Sequence, residues 1–186
     1  FFSALVKAYL SASAALRVGC VAGGRFGIVA ATAAFSASRS ACVRKHHTFF
    51  PLSNVKHLPD DRPVGLYRCR AGKRLPNRTI AIVGTRKPST YGRKVAREFA
   101  QELGLSGFCI VSGLAEGIDT EAHRAALDSD CLTSAVLGGG LNRCYPASNR
   151  GLMEEIKDSG GVWTEFPLWR SADRRSFPQR NRIVAG

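Results

Sequence analysis

The chain has 186 residues, long enough for one domain with a real core plus appendages, and carries 27 Lys and Arg against 14 Asp and Glu, a formal charge of +13. Its six cysteines show no CxxC pair and no metal-ligand spacing, which argues against a disulfide framework or a zinc module and for reduced thiols. The basic excess favours a polyanionic partner, although a plainly basic soluble protein has the same composition.

The charge is uneven. Residues 1–59 hold seven basic groups and no acid, leaving 20 basic against 14 acidic groups in residues 60–186. Residues 1–50, rich in Ala, Ser and Arg, fit an organelle transit peptide. A bilayer segment around Val18–Phe35 is disfavoured by Arg25 and four glycines. The absent initiator Met and the lack of any stable period favour an unstructured extension or sequence upstream of the true start. Residues 51–78 read as a linker: Pro51, Pro59, Pro63 and Pro76 break regular elements, and a short extended piece is left at Val64–Tyr67. A plain connector is the favoured reading there, an edge segment docking beside a sheet the other.

From residue 79 onward the pattern is α/β. The apolar run Thr79–Val83 stops at Gly84-Thr85-Arg86, and Phe108–Val111 stops at Ser112-Gly113-Leu114-Ala115-Glu116-Gly117-Ile118-Asp119. Short buried-type strands ending in small-residue turns that open helices predict a doubly wound sheet, whose ligands gather at the strands' carboxyl ends. Between the two runs, Tyr91-Gly92 opens a helix with Val95, Phe99 and Leu103 on one face and Gly104 and Gly107 at its end. Asp119 is placed to N-cap a helix over Thr120–Leu127, leaving Ser112 and the glycine backbone to meet an anion. His123, with no nucleophile beside it, reads as structural.

A third strand, Leu132–Leu137, runs into Gly138-Gly139-Gly140, where a ligand has room to touch the backbone. The spacing is not GxGxxG and no acid follows for a ribose, so a dinucleotide site is disfavoured. A helix starting at Ala147 or Ser148 turns Leu152, Met153 and Ile156 inward, and a fourth strand spans Val162–Phe166. The tail from Arg170 carries five arginines, one acid (Asp173), Phe177 and Asn181. Arginines supply bidentate phosphate contacts and an aromatic supplies a plate for an unpaired base, but a disordered basic end or a solvated helix start weighs evenly on composition.

These motifs in one order resemble a family. Ile82-Val83-Gly84-Thr85-Arg86, Ser112 to Asp119, Gly138-Gly139-Gly140 with Tyr145-Pro146, Glu165-Phe166-Pro167 and Phe177-Pro178-Gln179-Arg180-Asn181-Arg182-Ile183 look like the DNA-processing protein A (DprA/Smf) family over about residues 50–186. The resemblance implies a Rossmann-like, mostly parallel sheet in residues 79–186. It implies a single-stranded DNA binding protein that protects incoming strands during natural transformation and helps load a RecA-type recombinase. It also implies no catalytic residue, cofactor or metal, and a bacterial cytoplasmic setting, or an organelle if residues 1–50 are a transit peptide. The DNA-contacting roles fall on Gly84, Thr85, Arg86, Ser112, Gly113, Phe177, Arg180 and Asn181. This chain departs from the family pattern in lacking the later strands of the sheet and a recognisable helical amino-terminal domain. It is therefore expected to be truncated, with homodimerisation a property of the full-length protein. The alternative is a phosphoribohydrolase-like enzyme acting on a nucleotide phosphate; Gly138-Gly139-Gly140 lacks the Pro-Gly-Gly-x-Gly-Thr turn and following glutamate that it needs.

Overall fold

The structure, a computed structural model, describes residues 47–51 (backbone only), 63–69 and 78–185. The expected transit-like extension, apart from its last few residues, and the disfavoured span at Val18–Phe35 lie outside the described residues. Among the described residues six strands form one sheet: β1 His47–Pro51, β2 Gly65–Cys69, β3 Thr79–Ala81, β4 Cys109–Ser112, β5 Thr133–Val136 and β6 Gly161–Thr164. Their order is β1-β2-β6-β5-β4-β3. Neighbours from β3 to β6 pair in parallel, with Ile80 opposite Ile110, Val111 opposite Ser134 and Ala135 opposite Val162.

The four apolar runs become these four parallel strands because both faces of the sheet are covered, so neither face of a strand can be polar. Ile80, Ile82, Ile110, Ala135 and Val162 point to one face, and Ala81, Val136 and Trp163 to the other. Burying one isoleucine of this kind contributes roughly 1.5–3 kcal/mol. The first face carries helix α1 (Thr90–Leu105), helix α2 (Ile118–Asp128) and helix α3 (Arg150–Asp158), the last entered through a 3₁₀ turn at Ala147–Asn149. Three successive crossovers on one face are what right-handed connections between strands laid down in order require. Helix α4 (Ser176–Ala185) lies on the opposite face, where Val184 packs with Ala81, Val136 and Trp163. The winding thus reverses after β6, and the sheet is an α/β, Rossmann-like layer with helices on both sides.

Local chemistry sets the helix ends. Ser89 caps α1, its hydroxyl accepting the Gly92 N–H at 3.2 Å. Val95, Ala96, Ala100 and Leu103 are buried as the four-residue spacing requires. The helix continues through Gly104, whose missing Cβ admits the Cys131 side chain, and the chain leaves at Gly107 with φ +85°. Alanines 96, 100, 122, 125 and 126 share one core cluster, so α1 and α2 meet through small side chains. Leu152, Met153 and Ile156 of α3 are buried, as expected.

The Val64–Tyr67 piece differs from the connector expected of it. It becomes β2, which is interior to the sheet, antiparallel to β1 on one side and to β6 on the other. Prolines interrupt the residues around it but none falls between Gly65 and Cys69. Leu66 turns to one face and Cys69 to the other, so the alternation of a strand is satisfied.

Candidate nucleic-acid interface

All four parallel strands deliver their carboxyl ends to one edge, and the loops that follow them, together with α4, build a shallow recess there. Arg86, Gly113, Glu116, Arg143, Tyr145, Phe177 and Arg180 are among its lining. Its enclosed volume is about 30 Å³, room for a water molecule rather than for a nucleotide. Three cationic side chains and one carboxylate, Glu116, stand in that lining.

The outer layer is aromatic and cationic. The loop after β3 exposes Gly84, Thr85 and Arg86. The Arg86 guanidinium lies over the Phe177 ring, 5.2 Å from its centroid. Phe177, from the first turn of α4, is half-buried and meets Tyr145 at 5.6 Å with the rings inclined by 43°. Gly138 makes this possible, since a Cβ there would stand 2.8 Å from Phe177 Cδ1. Tyr145 is 54% exposed and follows the triple-glycine turn. Asp173 fixes the start of α4: its Oδ1 accepts the N–H of Arg175 at 2.8 Å and of Ser176 at 2.7 Å, which holds its carboxyl below the usual range.

Beneath this layer lies a buried polar frame. Arg180 is 6% exposed, and its Nη1 donates to the carbonyls of Gly113 at 2.5 Å and Val136 at 2.6 Å, tying the ends of β4 and β5 together. Asp119, 4% exposed, accepts the N–H of Gly113 at 3.1 Å and of Ala115 at 3.4 Å, with the Gly84 N–H also directed at it. Burial raises the Asp119 pKa, opposed by the Arg180 charge and these N–H groups. Burial lowers that of Arg180, opposed by Asp119 and assisted by the nearby positive charge of Arg86. His123 is fully buried, its Nδ1 2.7 Å from Thr133 Oγ1. Burial and Arg180 push its pKa down to about 3.

This frame corrects several expectations. Asp119 does not N-cap α2; it sits in the first turn, with Gly117 (φ +83°) before it, and turns back on the Gly84 and Gly113 loops. The amides expected to take an anion are therefore held by an internal carboxylate, and the Ile118 N–H by the Thr85 carbonyl at 3.2 Å. Ser112 does not cradle a phosphate with its hydroxyl, which is buried and donates to the Ile82 carbonyl at 2.6 Å. Gly113 is buried too, and its absent Cβ is the space that the Arg180 guanidinium fills. Arg180 is not an exposed clamp; its guanidinium is buried against the carbonyls at two strand ends. Asn181 is exposed and its Oδ1 accepts from Arg180 Nε at 3.1 Å. Finally, the triple glycine is open to a ligand only in part: Gly138 and Gly139 line the recess, while the backbone of Pro167–Ala172 lies against Gly139 and Gly140.

Of the eight residues named from the sequence, Gly84, Thr85, Arg86, Phe177 and Asn181 reach the surface of this edge, whereas Ser112, Gly113 and Arg180 support it. Sequence reasoning missed Tyr145 and Arg143. Their signal was position, since both follow a glycine turn at the carboxyl end of a central strand.

Comparison with known proteins agrees with this architecture. Protein Smf of Synechocystis is 44% identical over 134 residues, covering 69% of this chain and 33% of its own length. The X-ray structure of DNA processing protein A (DprA) from Streptococcus pneumoniae matches 74% of this chain and 50% of that chain, at 34% identity and a TM-score of 0.64. DNA processing protein A from Helicobacter pylori, whose structure describes a single-stranded DNA binding mode, matches 76% of this chain and 66% of that chain, at 30% identity and a TM-score of 0.62. The chain spans about a third of the length of the curated relatives it matches. The sequence pattern of DNA recombination-mediator protein A matches residues 41–186, and the chain belongs to that family.

Proposed function

We propose that this chain binds single-stranded DNA across the edge formed by Arg86, Phe177 and Tyr145, and so serves the protection of incoming strands and their hand-over to a recombinase. One observation carries the reading: an exposed guanidinium held against an aromatic pair at the carboxyl ends of a parallel sheet. Arg86 neutralises a phosphate, and the Phe177–Tyr145 pair offers ring surface to an unpaired base. A duplex keeps its bases stacked on one another, so such a plate discriminates in favour of single strands.

The remaining roles follow from the frame. Asp119 and Arg180 fix the Gly84 and Gly113 turns, which sets where Arg86 can stand. Gly84, Thr85 and Asn181 flank the phosphate path. The family's designation as a recombination mediator supports a RecA-type recombinase as a partner of the whole-length protein. Cys131 and Cys144 are free thiols, which fits a reducing, cytoplasm-type compartment. No helix among the described residues is long and apolar enough to cross a membrane.

A phosphoribohydrolase-like enzyme is the less supported reading, because ligand pockets that enclose a nucleotide run to roughly 300–1,000 Å³ and this recess encloses about 30 Å³. Fluorescence anisotropy with oligo(dT) and with a duplex of equal length separates the two. Preferential binding of oligo(dT) supports the proposal; release of base from a nucleotide monophosphate without affinity for either oligonucleotide supports the enzyme.

A further inference from the structure

The chain has two tryptophans, and their environments are opposite. Trp163 is 6% exposed, in the core between Leu66, Val136 and Val184 with the Arg68 guanidinium over its ring. Trp169 is 69% exposed on the segment that links β6 to α4. An indole left in water forgoes much of the burial that a tryptophan normally gains and keeps its ring face available.

The segment carrying it is pinned to the recess. The Asn142 N–H donates to the Leu168 carbonyl at 2.9 Å and the Gly140 N–H to the Arg170 carbonyl at 2.8 Å, one bond on either side of Trp169. Gly139 and Gly140 admit this backbone, and Ala172, three residues on, lines the recess itself. Trp169 is therefore held on a fixed piece of chain within about 10 Å, by backbone reach, of Ala172 in the recess lining.

Cationic side chains outnumber acidic ones on this segment and in the recess lining, Arg170, Arg174 and Arg175 against Asp173 and Arg86, Arg143 and Arg180 against Glu116. Arg143, Arg174 and Arg175 are exposed and, among the described residues, in no ion pair. Arg170 pairs at 3.3 Å with Asp173, the carboxylate already engaged at the start of α4. Phe166 lies under the Arg170 guanidinium, 4.3 Å from its ring centroid.

We infer that Trp169 is a second base-stacking plate, which extends the path of a single strand from the Arg86–Phe177–Tyr145 edge along the Pro167–Ala172 segment. The inference rests on the proposed single-strand binding and adds a site to it. A planar apolar ring on a segment that also carries Arg170, Arg174 and Arg175 suits a polyanion with exposed bases; a protein partner docking there by its apolar surface has to cover those charges as well.

Intrinsic fluorescence of the full chain, titrated with oligo(dT) at low salt, tests this directly. Trp169 supplies the water-exposed emission, so oligo(dT) quenches it, and Trp169→Ala removes the quenching. The same substitution weakens oligo(dT) binding by about five- to 150-fold, the range spanned by one stacked base, without changing its salt dependence. Trp169→Phe restores most of the affinity. If Trp169→Ala binds oligo(dT) as the wild type does while Arg86→Ala binds weakly, the second plate is wrong and Trp169 belongs to a protein contact. If the wild-type chain does not bind oligo(dT) at all, both the plate and the reading beneath it fail.

Discussion

Arg180 and Asp119 grip the same residue through its two flanking peptide groups: the guanidinium donates to the Gly113 carbonyl at 2.5 Å, and the carboxylate accepts the Gly113 N–H at 3.1 Å. Both side chains are buried, one from α4 and the other from α2, on opposite faces of the sheet. The loop that ends β4 is thus clamped through the sheet, and the Arg86 loop is tied to it by the Gly84 N–H on the same carboxylate.

Arg180→Ala is expected to destabilise the chain by about 3–5 kcal/mol, because it leaves a buried carboxylate without its counter-charge and two strand-end carbonyls without their donor. Urea denaturation measures it. Arg180→Lys recovers little, since an ammonium is a point donor and the two carbonyls suit a planar fork. Gly113→Ala has a similar effect, for its Cβ lands 2.1 Å from Arg180 Nη1. A variant of Arg180 with unchanged stability contradicts the clamp.

Acid weakens the fold through His123. In the unfolded chain its imidazole takes a proton near 6.5, whereas in the fold burial and Arg180 hold that off until about 3. Between those values the unfolded state binds more protons, so stability falls as pH falls, by about 2 kcal/mol from pH 7 to pH 5. Asp119, whose pKa burial raises, acts in the opposite sense, so the decisive measurement is the pH slope of His123→Gln against that of the wild type. The variant is expected to lose the slope over pH 5–7; an equal slope in both removes the histidine from the account.

Phe177→Ala removes ring surface without removing charge. Affinity for oligo(dT) is expected to fall by about 1–3 kcal/mol while the dependence on salt stays as it was. Gly138→Ala reaches the same ring from behind, by placing a Cβ 2.8 Å from it, and is expected to weaken binding in the same way. Salt titrations of the two variants that show a reduced slope instead show that the ring acts by holding Arg86.

Much of this was legible from period and punctuation. The four parallel strands, the inward faces of α1 and α3 and the exposed Gly84-Thr85-Arg86 turn follow from apolar runs and glycines read within one element. Contacts between elements were not legible. Asp119 has the spacing of an N-cap, and only the fold brings it beneath Gly84, 35 residues away. The triple glycine reads as room for a ligand, and only the fold shows that Gly138 and Gly139 line the recess while the Pro167–Ala172 backbone covers Gly140. Arg180 was misread as a solvent clamp because composition hides position: Phe177, Arg180 and Val184 recur at helical spacing, and that period already placed Arg180 on the inward face.

The division between an exposed gripping layer and a buried frame is tested most directly by Arg86→Ala. Anisotropy of labelled oligo(dT) across a salt series is expected to show weaker binding and a log–log salt slope reduced by about 0.7, one phosphate's worth, with the unfolding midpoint in urea unchanged. Wild-type affinity and slope in that variant, or a loss of binding that tracks a loss of stability, contradicts the division.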